Sequence, residues 1–503
     1  METFGHILAG FAVAAQPINL WYTFVGVLIG TIVGILPGIG PAASIAMLIP
    51  MTFGMDPTSG LIMMAGIYYG TKYGGSTTAI LIRTPGEAAS VMTSLDGYEM
   101  AKNGRAGAAL AVAAIGSFIA GTIGVVALTL FAVPLAAAAL KFGPAEYFTL
   151  MLFALTSVAS LSGTSPAKGL MSTVLGLMIA TIGIDLQTGQ QRFTGGVAEL
   201  QDGVGFIVVV VGMFALSEVL RGMEQIVLGT APKAMRITGK LWLTREEWRR
   251  SIGPIWRGGV IGFIVGVLPG AGGTIASLLS YSTEKRLSKH PEEFGRGAIE
   301  GVAGPEAANN SDTAGAMVPL LTLGVPGGGA TAVMLGAFIM HGIQPGPLLF
   351  QNRPDLVWGL VDSMYIGNVM LLILNLPLIG LFVRLLYIPS GILYPLIVAI
   401  SVIGTYAING SMVELWLVLL FGVVGYVFEK VDIPVAPLVL SLVLAGIMEQ
   451  SFRQAMTISD GSLSIFVGSG ITVTLLAMSA ASIALPFVLA RRKPKPKPAS
   501  VAA

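Results

Sequence analysis

Long apolar runs separated by short polar or glycine-rich breaks occupy almost the whole chain. Uninterrupted runs cover 106–140, 147–161, 169–184, 204–220, 356–383, 388–407, 412–428 and 465–490. Crossing a ~30 Å hydrocarbon core takes about 20 helical residues. With the interrupted stretches added, the pattern predicts an all-α integral membrane protein of roughly twelve membrane-embedded elements.

The interruptions are themselves patterned. Gly34-Ile-Leu-Pro37-Gly38-Ile-Gly40-Pro-Ala-Ala-Ser44 recurs as Gly266-Val-Leu-Pro269-Gly270-Ala-Gly272-Gly-Thr-Ile-Ala-Ser277, an offset of 232 residues. Each copy breaks an apolar stretch with proline, which removes a backbone donor, and with glycines, which permit positive φ. Breaks in lipid survive only where protein or a watery cavity receives the unpaired backbone groups. Corresponding broken segments in two halves of a membrane chain point to a transporter's binding site. A second interrupted segment follows in each half. The first runs from Tyr68 to Pro85-Gly86-Glu87, the second from Glu306 to Pro326-Gly327, and the Pro-Gly pairs are offset by 241 residues. The duplication divides the chain into an N-terminal half, 1–235, and a C-terminal half, 236–503, ending in a basic tail, 491–503. Scattered glycines such as Gly116, Gly121 and Gly124 read as small packing residues.

Lysine and arginine set the orientation. Lys233, Arg236, Lys240, Arg245, Arg249, Arg250 and Arg257 cluster in one loop, and Arg491, Arg492, Lys493, Lys495 and Lys497 in the tail, so both read as cytoplasmic. The loop 185–203 holds Arg192 against Asp185, Glu199 and Asp202 and reads as external. The second repeat leaves the cytoplasm near Arg257, breaks at 269–273, and returns to the basic run 284–289. About ten residues each way is too short to cross the core, so it reads as a re-entrant hairpin. The first repeat has no basic residue on its approach, 17–36, or its exit, 53–60, and reads as a hairpin from the outside. The two halves then form inverted repeats built from hairpins and discontinuous helices.

Composition narrows the function. Of 503 residues, 54% are hydrophobic and 11% charged, with mean hydropathy +0.82; that is too little charge to solvate a soluble surface, where about 25% is usual. A net charge of +2 favours no nucleic-acid partner. With no cysteine, disulfides and thiolate chemistry are excluded. His6, His290 and His341 are too dispersed for a three-histidine metal site. The N-terminus lacks the basic region and cleavage site of a signal peptide and reads as a retained helix. No Walker lysine motif, His-Glu-x-x-His or Gly-x-Ser-x-Gly appears, so no enzymatic activity is expected. A glycine-lined anion channel is the alternative to a transporter, and an intramembrane enzyme a weaker one.

Candidate ligands follow from the breaks. Tyr73-Gly74-Gly75-Ser76-Thr77-Thr78 sets three hydroxyls behind two glycines, before the apolar run 79–82. A helix starting there offers free N–H groups and its positive dipole end to an anion. Asn309 and Asn310 supply amides from the other half. Gly38, Gly40, Gly270, Gly272, Gly273 and Thr274 at the two tips complete the substrate candidates. Hard oxygens at Ser44, Ser277, Asp312 and Thr313, with freed carbonyls at the tips, suit a coupling Na⁺, and Asp312 or Glu87 would serve a coupling proton. Lys72, Arg83, Glu87, Glu306 and Asp312 are ionisable residues in apolar or glycine-rich surroundings and are functional candidates if they lie at depth.

With these residues laid out, the chain resembles the large membrane subunit of the tripartite tricarboxylate transporters over nearly its whole length. The likeness is carried by Gly34-Ile-Leu-Pro-Gly-Ile-Gly-Pro41, Gly66-Ile-Tyr-Tyr-Gly-Thr-Lys-Tyr-Gly-Gly-Ser-Thr-Thr-Ala79, Pro305-Glu-Ala-Ala-Asn-Asn310 and His341-Gly-Ile-Gln-Pro-Gly-Pro347. The resemblance implies a multi-pass subunit of the bacterial inner membrane that takes up citrate-like di- and tricarboxylates with a Na⁺ or H⁺ gradient. It also implies a small membrane subunit and a periplasmic substrate-binding protein as partners, and no cofactor. Inverted repeats with hairpins suit an elevator mechanism.

Overall fold

The computed structural model of the chain describes residues 2–36, 39–83, 85–161, 165–185, 188–229, 240–384 and 390–492. Pro37, Gly38, Lys233, Arg236 and the tail beyond Arg492 lie outside the described residues. Apart from one short antiparallel pairing, Gly183–Ile184 with Gln191–Arg192, the described regular structure is helical. The chain runs through α1 (Glu2–Ala14), α2 (Pro17–Gly34), α3 (Pro41–Leu48), α4 (Pro57–Ile82), α5 (Val91–Met100), α6 (Ala106–Ala139), α7 (Pro144–Leu161) and α8 (Pro166–Ala180). Next come α9 (Phe206–Val210) and α10 (Ser217–Val227), joined by a π-helical stretch, then α11 (Arg245–Val267), α12 (Gly272–Leu287), α13 (Glu300–Leu323) and α14 (Gly329–Met340). The remainder is α15 (Leu349–Asn352), α16 (Pro354–Asn375), α17 (Ile379–Val383), α18 (Ser390–Asn409), α19 (Met412–Lys430), α20 (Ala436–Ile458) and α21 (Gly470–Arg492).

Among the described residues, five helical stretches are long and apolar enough to cross a membrane: Pro17–Gly34, Ala88–Ala139, Phe206–Val227, Pro354–Asn375 and Met412–Lys430. Helices α4 and α13 are more polar, yet every residue from Thr58 to Ile82 and from Glu300 to Thr322 is buried. Protein, not lipid, surrounds these two helices, which is the condition for carrying polar groups at depth. Their ends are set locally. Asp56 caps α4 by accepting from the backbone N–H groups of Thr58 and Ser59, with Pro57 at the first helical position. At the other end Arg83 takes the left-handed conformation at φ 55°, and Gly324 does the same after α13 at φ 70°.

The duplication read in the sequence reappears as packing. Helix α2 lies on α4 and α11 on α13, the two most extensive helix contacts of the fold. Gly26, Gly30 and Gly34 press on the carbonyls of Met63, Ile67 and Thr71; a Cβ built on each would lie 2.3–2.5 Å from those oxygens. Gly258, Gly262 and Gly266, each 232 residues on, press in the same way on Gly304, Ala308 and Asp312, each 241 residues on. The Pro-Gly turns follow suit, Gly86 touching the Gly34 carbonyl and Gly327 that of Gly266. Close approach of backbones through small residues is how helices associate where no hydrophobic drive separates them from lipid.

The breaks expected at both Pro-Gly-x-Gly copies are present, between α2 and α3 and between α11 and α12. Gly270 and Gly272 take positive φ, 81° and 57°, whereas Gly40 is extended and serves as the N-cap of α3. Beyond them, Pro85-Gly86 and Pro326-Gly327 turn the chain back from α4 and α13. The Gly270 N–H donates to the Gly327 carbonyl at 2.8 Å, tying the two breaks of the C-terminal half together.

One expectation is corrected. No helix starts at Tyr73–Thr78, because α4 runs unbroken through that segment. Gly74 is used for close approach rather than for a turn: a Cβ on it would lie 2.6 Å from the Thr31 carbonyl, whereas one on Gly75 would make only ordinary contacts with Ser90 and Glu87. The Asn309–Thr313 cluster likewise lies in the interior of α13. Neither cluster presents a helix end to a ligand.

Candidate functional site

Helices α4 and α13 run antiparallel past each other: Lys72 meets Asn309, and one turn on Ser76 meets Glu306 one turn back. Above this crossing lies a cavity of about 820 Å³. Its walls include the first residues of four helical segments. Gly40 to Ala43 open α3, Ala88 and Ala89 precede α5, Gly272 to Thr274 open α12, and Gly328 to Ala330 open α14. The first N–H groups of a helix have no acceptor within it, and the macrodipole adds partial positive charge there. The arrangement is two helix starts from each copy of the duplication, around one space.

The cavity floor is a buried charge cluster. The Lys72 ammonium donates to Asn309 Oδ1 at 2.8 Å and lies 3.2 Å from the Glu87 carboxylate and 3.8 Å from that of Asp312. Asn309 Nδ2 donates to Glu87 Oε1 at 2.7 Å, closing the ring. The ammonium also sits 5.7 Å from the Tyr68 ring centre. Asp312 Oδ1 has no hydrogen-bond partner among the described residues. Gly273 makes room for the cluster, since a Cβ there would lie 2.8 Å from both Lys72 Nζ and Asn309 Oδ1. On the far wall Arg221 of α10 is paired with Glu218 and, at 3.2 Å, with Glu429 of α19.

The other sequence candidates are distributed unevenly. Gly40, Gly270, Gly272, Gly273, Thr274 and Asp312 line the cavity, and Asn309 borders it through Lys72 and Glu87. Tyr73, Ser76 and Thr77 do not. They border a separate void of about 10 Å³ on the side of α6. Tyr73 donates to Asn368 Oδ1 at 2.9 Å, while Ser76 and Thr93 donate to the two oxygens of Glu306, each at 2.5 Å. Asn310 donates to Ser117. Ser44 and Ser277 hydrogen-bond within their own helices to the Gly40 and Thr274 carbonyls, Gly74 packs against α2, Gly75 packs by Glu87 and Ser90, and Thr313 is buried one turn past Asn309. Gly38 lies outside the described residues. Arg83 stands at the end of α4 with its guanidinium 5.5 Å from the Tyr98 ring.

Sequence reasoning missed Glu218, Arg221 and Glu429. They belong to α10 and α19, which contribute an ordinary charged helix end each, and no local motif marks their meeting across the cavity. The four convergent helix starts were legible only in part, because two of them follow the Pro-Gly pairs that were read as the downstream limits of polar segments. Among the described residues no group of three or more acidic or histidine side chains forms a metal centre.

Residues 20–440 match the family described as the tripartite tricarboxylate transporter TctA family. The chain is 47% identical over 497 residues, 99% of both chains, to an uncharacterized 52.8 kDa protein of the TAR-I ttuC' 3' region of Agrobacterium vitis. It is 48% identical over 224 residues, 44% of this chain and 93% of the relative, to an uncharacterized protein of the TAR-II ttuC' 3' region of the same organism.

Proposed function

This chain belongs to the tripartite tricarboxylate transporter TctA family, and on that premise we propose that it is the cation-coupled permease subunit for citrate-like organic carboxylates. It is a multi-pass membrane protein of a transporter family, not of an enzyme family. The observation that carries the reading is the convergence of four helix starts, two from each copy, on one cavity floored by Lys72. Broken-helix N-termini aimed at a mid-membrane site suit the carboxylates of an anionic substrate. The substrate ligands we assign are Lys72, Asn309 and the backbone N–H groups of Ala42, Ala43, Gly273 and Thr274. Ser76, Thr77 and Asn310 act behind them by fixing α4, α13 and α6 together. Asp312, with one carboxylate oxygen unpartnered among the described residues, is the ligand we assign to the coupling cation, Na⁺ or H⁺.

The partners in this reading are a small membrane subunit and a periplasmic binding protein in the bacterial inner membrane. The deciding experiment is citrate uptake by the reconstituted subunits with Na⁺ and proton gradients imposed separately. Uptake should require one of the gradients and the binding protein. Rapid flux by this chain alone without any gradient would overturn the transporter reading in favour of a channel.

The two halves are read as inverted repeats working as an elevator, because equivalent helices α4 and α13 cross antiparallel. The cysteine-free sequence makes this testable. Single cysteines replacing Phe53 and Lys289, both exposed, should react with an impermeant thiol reagent from opposite sides of the membrane. Labelling of both from one side would mean parallel repeats and a different transport cycle.

A further inference from the structure

A second cavity, of about 660 Å³, opens where α13 ends and where the chain turns after α14. Among the described residues its walls carry Arg353, Gln344, Asn352, Gln450, Gln454 and Ser451, and no aspartate or glutamate. The four carboxamides are exposed and carry no hydrogen bond to another described residue. Arg353 is held at 3.3 Å through Nε and one Nη by Asp355, which stands outside the wall, so the rest of the guanidinium fork is available. Phe142, Tyr147 and Met151 of the α7 region form an apolar side. The floor is the Gly342–Pro347 turn, part of a sequence motif with no role in the first cavity.

The two cavities differ in charge. Lys72 and Arg221 in the first face Glu87, Asp312, Glu218 and Glu429, whereas among the described residues the walls of the second carry Arg353 and no acid, its partner Asp355 standing outside them. An arginine fork with several carboxamide donors is a carboxylate-recognising set. The location fits the same ligand. Gln450 and Gln454 flank Glu449 and Arg453, which pair with Asp185 and Arg192 of the loop read as external. Helix α14 joins the two spaces, with Gly329 in the first and the turn after Met340 in the second, a span of ~18 Å at 1.5 Å per residue.

We propose that this recess is a second carboxylate-binding site, on the external side, that holds the anionic substrate before it reaches the cavity between the hairpins. The inference rests on the transporter reading above for the identity of the ligand. Occupancy would bring negative charge to the turn that follows α14, the helix whose other end lines the transport cavity. The recess would raise the local concentration of anion without competing with the acids around Lys72.

The test is equilibrium binding of radiolabelled citrate, with other di- and tricarboxylates in parallel, to the full-length purified protein. Two sites are expected. Lys72→Met should remove one and Arg353→Gln should weaken the other about ten- to a hundredfold, as for loss of a donor to a charged ligand. Gln450→Ala with Gln454→Ala, on a different helix, should weaken that same site. One site only, lost in Lys72→Met and unchanged in the recess variants, would overturn the recess while leaving the transporter reading intact. One site together with reduced binding-protein-driven uptake in Arg353→Gln would also overturn it and mark the recess as a docking surface. Absence of binding by every carboxylate would overturn both readings.

Discussion

Replacing Lys72 with methionine is expected to abolish carboxylate uptake, by about a hundredfold or more. Among the described residues the Lys72 ammonium is the one cation in the floor of the first cavity, and it is shared among Asn309, Glu87 and Asp312. Its loss would leave two buried carboxylates without their counterion, and breaking a buried pair costs about 3–5 kcal/mol. Reduced uptake alone would therefore not separate binding from folding. The paired variant Lys72→Met with Glu87→Gln removes one charge of each sign and should regain much of the thermal stability. Uptake should stay lost in that variant, since no cation remains in the cavity floor to meet the substrate and Arg221 on the far wall is already paired with Glu218 and Glu429. Wild-type uptake by the paired variant would reduce Lys72 to a structural counterion.

An equally large effect, on stability, is expected at Gly262. A methyl group there would lie 2.2 Å from the Ala308 carbonyl oxygen, and backbone on both sides leaves nothing able to yield except the helix separation. Gly262→Ala should cost about 3 kcal/mol or more, the upper range for overpacking. Gly116→Ala is the control. Its nearest neighbour, Ile255 Cγ1, stands at an ordinary 3.4 Å, so the gain in helix propensity of up to ~1 kcal/mol should prevail. Thermal melting of the detergent-purified proteins compares the two. Equal melting temperatures for Gly262→Ala and the parent would refute backbone-to-backbone packing of α11 on α13.

The same glycines show where the sequence was readable. Proline beside glycine has few uses in an apolar stretch, so the breaks at 37–40 and 269–273 and their duplication could be found without coordinates. Gly74-Gly75 before Ser76 carries the same local signal, but there α2 lies against the helix and Gly74 admits its backbone, while Gly75 faces Glu87 and Ser90. A single strand of sequence does not distinguish a glycine needed for its φ from one needed for its size. The ionisable candidates were found because charge is rare in apolar surroundings, and Lys72, Glu87 and Asp312 do cluster. Their assembly could not be read, because it joins positions up to 240 residues apart through the crossing of α4 and α13. Ser76 and Thr77 were assigned to the substrate on local grounds, and it is the rotation of α4 about its axis that turns them to Glu306 and to α6 instead.

The cradle and the charges inside it differ in symmetry. The helix starts come in equivalent pairs, Gly40 with Gly272 and Ala88 with Gly329, yet the position equivalent to Lys72 is Thr313 and that equivalent to Glu87 is Gly328. A molecule with two chemically identical arms, as citrate has, would find similar backbone donors on both sides but an ammonium on only one. Its arms would cease to be interchangeable once bound. The duplicated scaffold would therefore impose a single orientation on a prochiral substrate, and isotopic label placed in one arm should be distinguishable from label in the other by its contact with Lys72.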